Sequence, residues 1–549
     1  MREPQSARSL DVGIYLTLTW EDLYGRFDLR RFMPLIEASP HDWLATSLSI
    51  LGALLSNQGL QPSAHRDAVA ALLDGSDRDR AVRYFDANER QILTHPEAVA
   101  LGMKLAALHA RSGHEAGDAS VLVPLLVGLN ELTPIERKGR VATALHIHAA
   151  QQTLWPEDLV REFEIFHAYE PRLPDRIRYG FGEKFAAVTG LDAADFSAYA
   201  FGIFAVFAQY KSTRDLQGVN FRALAESTGG RAVRPAEFEL FLGLVSRTRE
   251  ELQRAFDGPN STRLTLHDAL AFRGAPLVRL EHGGAVPVWL EWLQEKVGSA
   301  PRYIIQNAIN DNDEMARFRG ALGEAFEDYF VSMLERMFPT GGGVKLHVRE
   351  GLSGCDAIIL ADDAAFFLEI TVSESSIEAM WNGDEAGLSH FVAKRLTGRG
   401  KLRQLTETME AFRAGTLELE GDRSTVRRLY PMIVGLAPLP QLLGLDAVLR
   451  RSIRRDNPEI ADGTGDIRPV LFTCAKDWEL LEQLLLTGRI SIADTLDGWL
   501  ATGPHSGLGD HLLRDRGFAG TRNAYLQARW VALGETLTSK AIELYGIRE

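Results

Sequence analysis

Apolar residues recur at helical spacing through most of the first 235 residues. Leu44, Leu48 and Leu51 lie three or four positions apart, and the same spacing recurs over residues 98–108. Residues at such intervals fall on one face of a helix. The pattern has no repeat of fixed length, which argues against a solenoid. We therefore predict one or two all-helical domains over residues 1–235.

The pattern changes between residues 236 and 300. Apolar and polar residues alternate in LVRLEHGGAVPVWL on both sides of Gly283 and Gly284. A two-residue glycine turn between extended segments is typical of a β-hairpin. We therefore predict a linker with a β-hairpin over residues 236–300 and a further domain over residues 301–549.

Helical and extended segments are mixed in the last 249 residues, 301–549. A long helix at about 313–338 ends before Pro339, and its Gly320 and Gly323 are expected to allow close approach to a sheet. The extended segments CDAIIL and AFFLEITV follow, then a basic helix at about 390–413, the strands YPMIVGLAP and RPVLFTC, and the helix DWELLEQLL. This order predicts a central mixed sheet with helices on both faces. The fold class is thus multidomain, α followed by α/β.

Composition excludes several classes of protein. A chain of 549 residues is too long for one hydrophobic core, and its net charge of −14 argues against non-specific coating of nucleic acid. Two cysteines, Cys355 and Cys474, provide neither a disulfide framework nor a thiolate zinc site. No signal peptide or membrane span is recognisable in the sequence. We expect a cytoplasmic protein that does not enter a membrane.

Two acidic residues stand beside or inside apolar strands. Asp356 precedes the apolar run AIIL, and Glu369 lies inside AFFLEITV, where an unpaired carboxylate is costly to bury. Counting back from the turn at 361–364 brings both residues to the same level of a hairpin. Mg²⁺ and Mn²⁺ favour such oxygen ligands, and we predict a metal site here. The alternatives are a structural ion pair and a strand-end turn residue.

Four short segments follow one another in a recognisable order. They are G-x-x-F-E-x-Y at 323–329, then Asp356, then Glu369-Ile370-Thr371, and finally Lys401-Leu402-Arg403-Gln404-Leu405. Together they resemble the PD-(D/E)XK, or restriction-endonuclease-like, nuclease superfamily over about residues 275–490. The resemblance implies a restriction-endonuclease-like α/β/α core in the C-terminal domain.

The resemblance also implies roles for individual residues. Asp356 and Glu369 would be metal ligands, and Glu327, or Glu324 as second choice, would be the helix carboxylate. Thr371 stands where the family usually has a lysine that orients the attacking water. A hydroxyl can bind water but supplies no positive charge. By the same resemblance the lysine moves to the next helix in some members.

The following basic helix offers a replacement for that lysine. The resemblance places Lys401, or Lys394 as second choice, in the lysine's role and turns Gln404 towards the site. The segment 389–404 has no acidic residue, and we expect its basic side chains to contact phosphates; they are Lys394, Arg395, Arg399 and Arg403. A second run of arginines lies at 450–455. A solvated helix face is the alternative for both.

These features predict a Mg²⁺- or Mn²⁺-dependent nuclease that hydrolyses phosphodiester bonds, of DNA in preference to RNA. By analogy with two-part nucleases, we expect a role in host defence against phage or foreign DNA. The helical N-terminal region would then be a sensor or regulatory region that binds a protein partner or a second copy. Two alternatives stay open: an inactive nuclease-fold module that binds nucleic acid, and a helical interaction or sensor protein.

Overall fold

The computed structural model of the chain describes most of its residues. The described ranges are 16–57, 62–87, 91–133, 156–210, 232–258, 261–340, 342–348, 354–372, 400–421, 423–437, 450–451, 453–454, 457–502, 507–518 and 520–546.

The chain divides into two compact units. The first unit comprises residues 1–134, 189–297 and 535–549, and the second comprises residues 135–188 and 298–534. The sequence pattern predicts contiguous domains, whereas each observed unit is built from separated segments.

Helices account for most of the described secondary structure. In chain order they are α1 (Trp20–Tyr24), α2 (Leu29–Glu37), α3 (His41–Asn57), α4 (Pro62–Leu72), α5 (Gly75–Ala87), α6 (Pro96–His109), α7 (Leu122–Leu132), α8 (Pro156–Glu164), α9 (Phe181–Thr189), α10 (Ala193–Ala208), α11 (Pro235–Val245), α12 (Arg249–Phe256), α13 (Leu266–Gly274), α14 (Leu290–Val297), α15 (Ala300–Ala308), α16 (Asn312–Met337), α17 (Lys401–Arg413), α18 (Pro458–Asp462), α19 (Ala475–Leu486), α20 (Ile492–Thr502), α21 (Leu508–Asp510) and α22 (Ala524–Tyr545).

The described strands form three sheets. They are β1 (Leu16–Thr17), β2 (Gln91–Ile92), β3 (Ser246–Arg247), β4 (Leu277–Arg279), β5 (Ala285–Pro287), β6 (Lys345–Val348), β7 (Ala357–Ala361), β8 (Ala364–Thr371), β9 (Arg428–Gly435) and β10 (Leu471–Cys474). Their spatial orders are β1-β2, β3-β4-β5 and β10-β9-β8-β7-β6. The predicted combination of α and α/β architecture is therefore confirmed at that level.

The first unit is built around α3 and α6. Leu44, Leu48 and Leu105 are fully buried, in agreement with the helical spacing of apolar residues. At Gly102 on α6, a Cβ would lie 2.9 Å from both Leu48 and Leu129, so a glycine is needed where these elements meet. The apolar stripes of these helices thus form the core of the unit.

A buried aspartate fixes the predicted hairpin of the first unit. Strands β4 and β5 are antiparallel, and Gly283 and Gly284 between them have φ of 101° and 80°. Asp42, near the start of α3, accepts hydrogen bonds from the backbone N–H groups of Glu281 (2.9 Å) and His282 (3.1 Å). It also accepts from Nδ1 of His41 at 2.9 Å and from Nδ1 of His282.

The hydrogen bonds to Asp42 change its acidity. Burial alone would raise the pKa of this carboxyl, but the bonds from His41, His282 and the two backbone N–H groups outweigh burial and lower it to about 2. The ionised form of Asp42 therefore stabilises the first unit.

The second unit contains the five-stranded mixed sheet. The pairs β6–β7 and β7–β8 are antiparallel, while the pairs β8–β9 and β9–β10 are parallel. Residues 364–370 of β8 are all buried, so both faces of this central strand are covered. The sheet is thus the predicted mixed sheet, with β8 at its centre.

The long helix α16 begins and ends where the sequence predicts, to within a residue or two. Asp311 caps its N-terminus by accepting a hydrogen bond from the N–H of Glu314 at 2.7 Å. The expectation that Gly320 and Gly323 allow close packing is wrong, because a Cβ on either would meet nothing within 4 Å. The apolar side chains of α16, such as Phe326 and Phe330, form its packing face instead.

A buried polar network ties α8, α16 and α19 together in the second unit. Nη1 of Arg161 lies 2.8 Å from both carboxylate oxygens of Glu479, and the hydroxyl of Tyr329 donates to Glu479 at 2.7 Å. Arg161 also donates to Asp158. Tyr329 is the last residue of the G-x-x-F-E-x-Y segment, so this segment contributes a hydrogen bond to the core.

In the described parts of the chain, no single helix is long and apolar enough to cross a membrane. Only α9 and α10 taken as a pair reach that length and composition, and they are interrupted between Thr189 and Ala193.

Replacing Asp42 by asparagine should change how the stability of the first unit depends on pH. The folded pKa of Asp42, about 2, lies below the ordinary value of 3.8. Its contribution is therefore present above about pH 4 and is lost as the pH falls towards 2, by about 2 kcal/mol in all. Urea unfolding of wild type and Asp42→Asn between pH 6 and pH 2.5 should show a difference that narrows with acid. A constant difference would contradict the assignment.

Substitutions in the Arg161 network should lower stability to different degrees. Tyr329→Phe removes one hydrogen bond to a carboxylate and should cost about 1.5–3 kcal/mol. Arg161→Met leaves Glu479 buried without its cation and should cost about 3–5 kcal/mol. Tryptophan fluorescence during urea unfolding is a suitable measurement, since Trp478 is buried beside this network. Equal losses for both variants would show that Arg161 is not the main partner.

Candidate functional site

The β7–β8 hairpin brings Asp356 and Glu369 together. Ala357 pairs with Leu368, and the N–H of Asp356 donates to the carbonyl of Leu368 at 2.9 Å. Asp356 therefore lies one position beyond that pair, level with Glu369. The turn of this hairpin is tight, with Asp362 at φ 52°. Counting along the two strands thus predicts this juxtaposition correctly.

Asp356 is also bonded to the strand that carries Glu369. Its Oδ2 accepts a hydrogen bond of 2.7 Å from the N–H of Ile370. The side chain of Asp356 is 11% exposed. This bond holds the carboxylate against the end of β8.

Lys401, the first residue of α17, reaches both carboxylates. Its Nζ lies 2.7 Å from Oε2 of Glu369 and 3.4 Å from Oδ2 of Asp356, and it donates to the carbonyl of Ile370 at 2.8 Å. Three oxygens from two side chains and the backbone therefore surround one ammonium group. The side chain of Lys401 is 28% exposed, so the cluster is open to solvent on the lysine side.

Glu369 is an incompletely satisfied buried carboxylate. Its side chain is 0% exposed, and neither oxygen accepts an aligned hydrogen bond from the described residues, although Lys401 is in ionic contact. Burial raises the pKa of Glu369 to about 8; the charge of Lys401 opposes this rise, and that of Asp356 adds to it. The anion of Glu369 is therefore destabilised and attracts a proton or a cation.

The ammonium of Lys401 is stabilised by the same cluster. Burial would lower the pKa of Lys401, but Asp356 and Glu369 outweigh burial and hold the pKa above its ordinary value. A lysine at the first position of a helix is otherwise unfavourable, because it faces the positive end of the helix dipole. The two carboxylates offset that repulsion.

Thr408 links helix α17 to the loop before Asp356. Its hydroxyl accepts a hydrogen bond of 3.0 Å from the N–H of Cys355 and donates to the carbonyl of Gln404 at 2.6 Å. Gly354 has φ 139°, and a Cβ there would collide with the Thr408 hydroxyl at 2.0 Å. Thr408 thus helps to position Asp356 relative to Lys401.

Thr371 lies two residues after Glu369, at the end of β8. Side chains two apart on a strand point to the same face, so Thr371 shares the face of Glu369. Its carbonyl accepts a hydrogen bond of 3.0 Å from the N–H of Leu436. Lys401, from the next described helix, places a positive charge beside Glu369.

The other two predicted carboxylates lie on α16. Glu327 is buried on α16 and Glu324 is half-buried. Within the described ranges, no three acidic, histidine or cysteine side chains form a group that could hold a metal ion. Gln404 is on the first turn of α17, and its N–H donates to the carbonyl of Gly400 at 2.9 Å.

The predicted basic surface is only partly described. Lys394, Arg395 and Arg399 lie outside the described residues. Arg403 is exposed and pairs with Glu407 at 2.6 Å, one helical turn away. In the second run, Arg454 pairs with Asp462 at distances of 2.6 and 2.7 Å. Arg403 and Arg454 thus form local ion pairs, as on a solvated helix face.

Sequence reasoning missed two components of this cluster. The carbonyl of Ile370 cannot be predicted from residue types, because every residue has a backbone carbonyl. Thr408 did leave a signal, because it lies within the apolar face of α17 formed by Leu405, Met409 and Phe412. A polar residue on such a face is a candidate for a buried hydrogen bond.

Comparison with known proteins gives no match. No protein-family model matches the chain, and no curated protein matches it.

Substitutions of Thr408 should test the link to the Asp356 loop. Thr408→Val keeps the shape but leaves the N–H of Cys355 without its acceptor, and should lower the free energy of unfolding by about 1–3 kcal/mol. Thr408→Ser keeps the hydroxyl and should retain most of that stability. Hydrogen exchange of the Cys355 amide, followed by NMR, should be faster in the valine variant alone. Equal exchange in both variants would show that the hydroxyl does not hold the loop.

Proposed function

We propose that the chain is a Mg²⁺- or Mn²⁺-dependent nuclease of the PD-(D/E)XK type that hydrolyses phosphodiester bonds, of DNA in preference to RNA. One observation carries the proposal: Asp356 and Glu369 lie together at the end of a hairpin in a mixed sheet, and Lys401 contacts both. An acidic pair with an adjacent lysine is the chemistry expected of such a site.

The oxygens of the cluster fit a hard divalent cation. Glu369 offers buried oxygens that accept no aligned hydrogen bond from the described residues and could therefore ligate an ion. Asp356 and Glu369 would hold the ion, and the carbonyl of Ile370 is a third oxygen at the same place. Mg²⁺ and Mn²⁺ take carboxylate, carbonyl and water oxygens. An ion bound there neutralises phosphate charge and lowers the pKa of an attacking water.

Three side chains of the cluster would have separate roles in the reaction. Lys401 is held in its charged form, and its ammonium would stabilise negative charge that develops on a phosphate oxygen. Asp356 is positioned by the N–H of Ile370, which donates to its Oδ2. Thr371 shares the face of Glu369 and offers a hydroxyl that can bind a water.

A second candidate is a nuclease-fold module that binds nucleic acid without cutting it. One observation favours it: Lys401 already contacts both carboxylates and offsets part of their negative charge without an ion. In that case Lys401 is a permanent structural cation. A buried ion pair of this kind needs no catalytic role to persist.

A cleavage assay separates the two candidates. Wild type should cut single- or double-stranded DNA, and RNA more slowly, in Mg²⁺ or Mn²⁺. Asp356→Asn and Glu369→Gln keep the side-chain shapes but remove ligand charge, and each should reduce the rate by about 100-fold or more. Labelled substrates resolved on denaturing gels provide the measurement.

Asp362→Asn is a matched control for both variants. Asp362 is exposed, lies at the other end of the same hairpin and has a φ of 52° that asparagine also adopts. This control should cut like wild type. Equal cutting by all four proteins would refute the site, while binding of nucleic acid without cutting in either metal would favour the non-catalytic module.

A further inference from the structure

We propose that Lys401 and a divalent cation compete for the same position, so that the lysine closes the site until a metal ion displaces it. This inference rests on the proposed function and concerns how its site is regulated. Nζ of Lys401 contacts Oε2 of Glu369 at 2.7 Å, Oδ2 of Asp356 at 3.4 Å and the carbonyl of Ile370 at 2.8 Å. The ammonium therefore stands where a cation would be ligated.

The contacts of Lys401 are those of a cation and not only of a hydrogen-bond donor. Two of its three oxygen partners are carboxylates, and that of Glu369 is completely buried. A metal ion bound to the same oxygens would place a second positive charge within a few ångströms of Nζ. Like charges at that distance repel strongly in a partly buried site. Both cations cannot occupy the cluster in this geometry.

Lys401 is also able to leave. Its side chain is 28% exposed, whereas the carboxylates of Asp356 and Glu369 are 11% and 0% exposed. The four-carbon stem of a lysine is flexible, and the residue is the first of α17. The carboxylates, by contrast, are fixed by β7, β8 and the N–H of Ile370. Exchange would thus move the lysine and leave the ligands in place.

Displacement would give Lys401 a second position beside the site. A lysine released from Glu369 remains anchored at the start of α17 and carries its charge towards the solvent side. Substrate phosphate would approach from that side, because the other partners are buried. The same residue would then offset part of the negative charge of the two carboxylates before the ion binds, and contact the substrate once the ion is bound.

The test is the affinity of the protein for Mn²⁺, measured by calorimetry on the full chain. Lys401→Met removes the competing charge and should bind Mn²⁺ at least about tenfold more tightly than wild type. Lys345→Met is the matched control, since Lys345 lies on β6 of the same sheet, opposite Leu360 and away from the site. The control should bind like wild type.

A second measurement uses wild type and does not depend on the folding of a variant. Reductive methylation followed by peptide mass spectrometry reports the accessibility of each lysine. Methylation of Lys401 should become faster when Mn²⁺ saturates the protein, while that of Lys345 should not change. Methylation of Lys401 that is unchanged or slower at saturating Mn²⁺ would overturn the competition.

The outcomes distinguish this inference from the proposed function. If wild type binds Mn²⁺ and cuts, but Lys401→Met binds no more tightly, the competition is refuted and the nuclease stands. If Lys401→Met binds Mn²⁺ and wild type does not, the competition is supported. If neither binds, the metal site itself is refuted, and with it both proposals.

Discussion

The cost of burying the carboxylate of Glu369 governs the arrangement of the five-stranded sheet and its site. A charge on a fully buried central strand must find a partner, because the protein interior solvates it poorly. Here that partner is Lys401, which arrives from the next described helix and also contacts Asp356. Thr408 then fixes the loop of Asp356 to the same helix. Without the carboxylate of Glu369, Lys401 would lose its closest acidic partner, and the positions of Asp356 and Thr408 around it would no longer be needed.

Glu479, another buried carboxylate of the same unit, has a different set of partners. Both oxygens of Glu479 are bonded by Arg161, and one of them also by Tyr329. Glu369 has only an ionic contact and no aligned hydrogen bond among the described residues. A carboxylate that serves structure alone is usually saturated with partners. The oxygens of Glu369 have fewer hydrogen-bond partners among the described residues than those of Glu479, and this difference supports a functional role for Glu369.

Part of this arrangement could be predicted from the sequence. Strand alternation and a two-residue turn place Asp356 level with Glu369, because the register of a tight hairpin follows from counting. Lys401 could be proposed only through the family resemblance, which allows the lysine to move to the following helix, predicted at about 390–413. The directions of Glu324 and Glu327 could not be predicted, since they depend on how α16 packs. The Arg161–Glu479 pair spans 318 positions, and no local pattern indicates a contact at such a distance. For the same reason, the sequence does not predict that each compact unit is built from separated segments.

The hairpin that carries the site has a consequence for the order of folding. Asp356 and Glu369 are 13 positions apart, whereas Lys401 comes 32 positions after Glu369. Short loops close faster than long ones, so the two carboxylates meet before their lysine arrives. During that interval the nascent hairpin carries two adjacent negative charges and lacks its counter-ion. Docking of α17 then supplies one positive charge against these two negative charges, and a dissolved cation that reaches the strands first would act as a folding ligand.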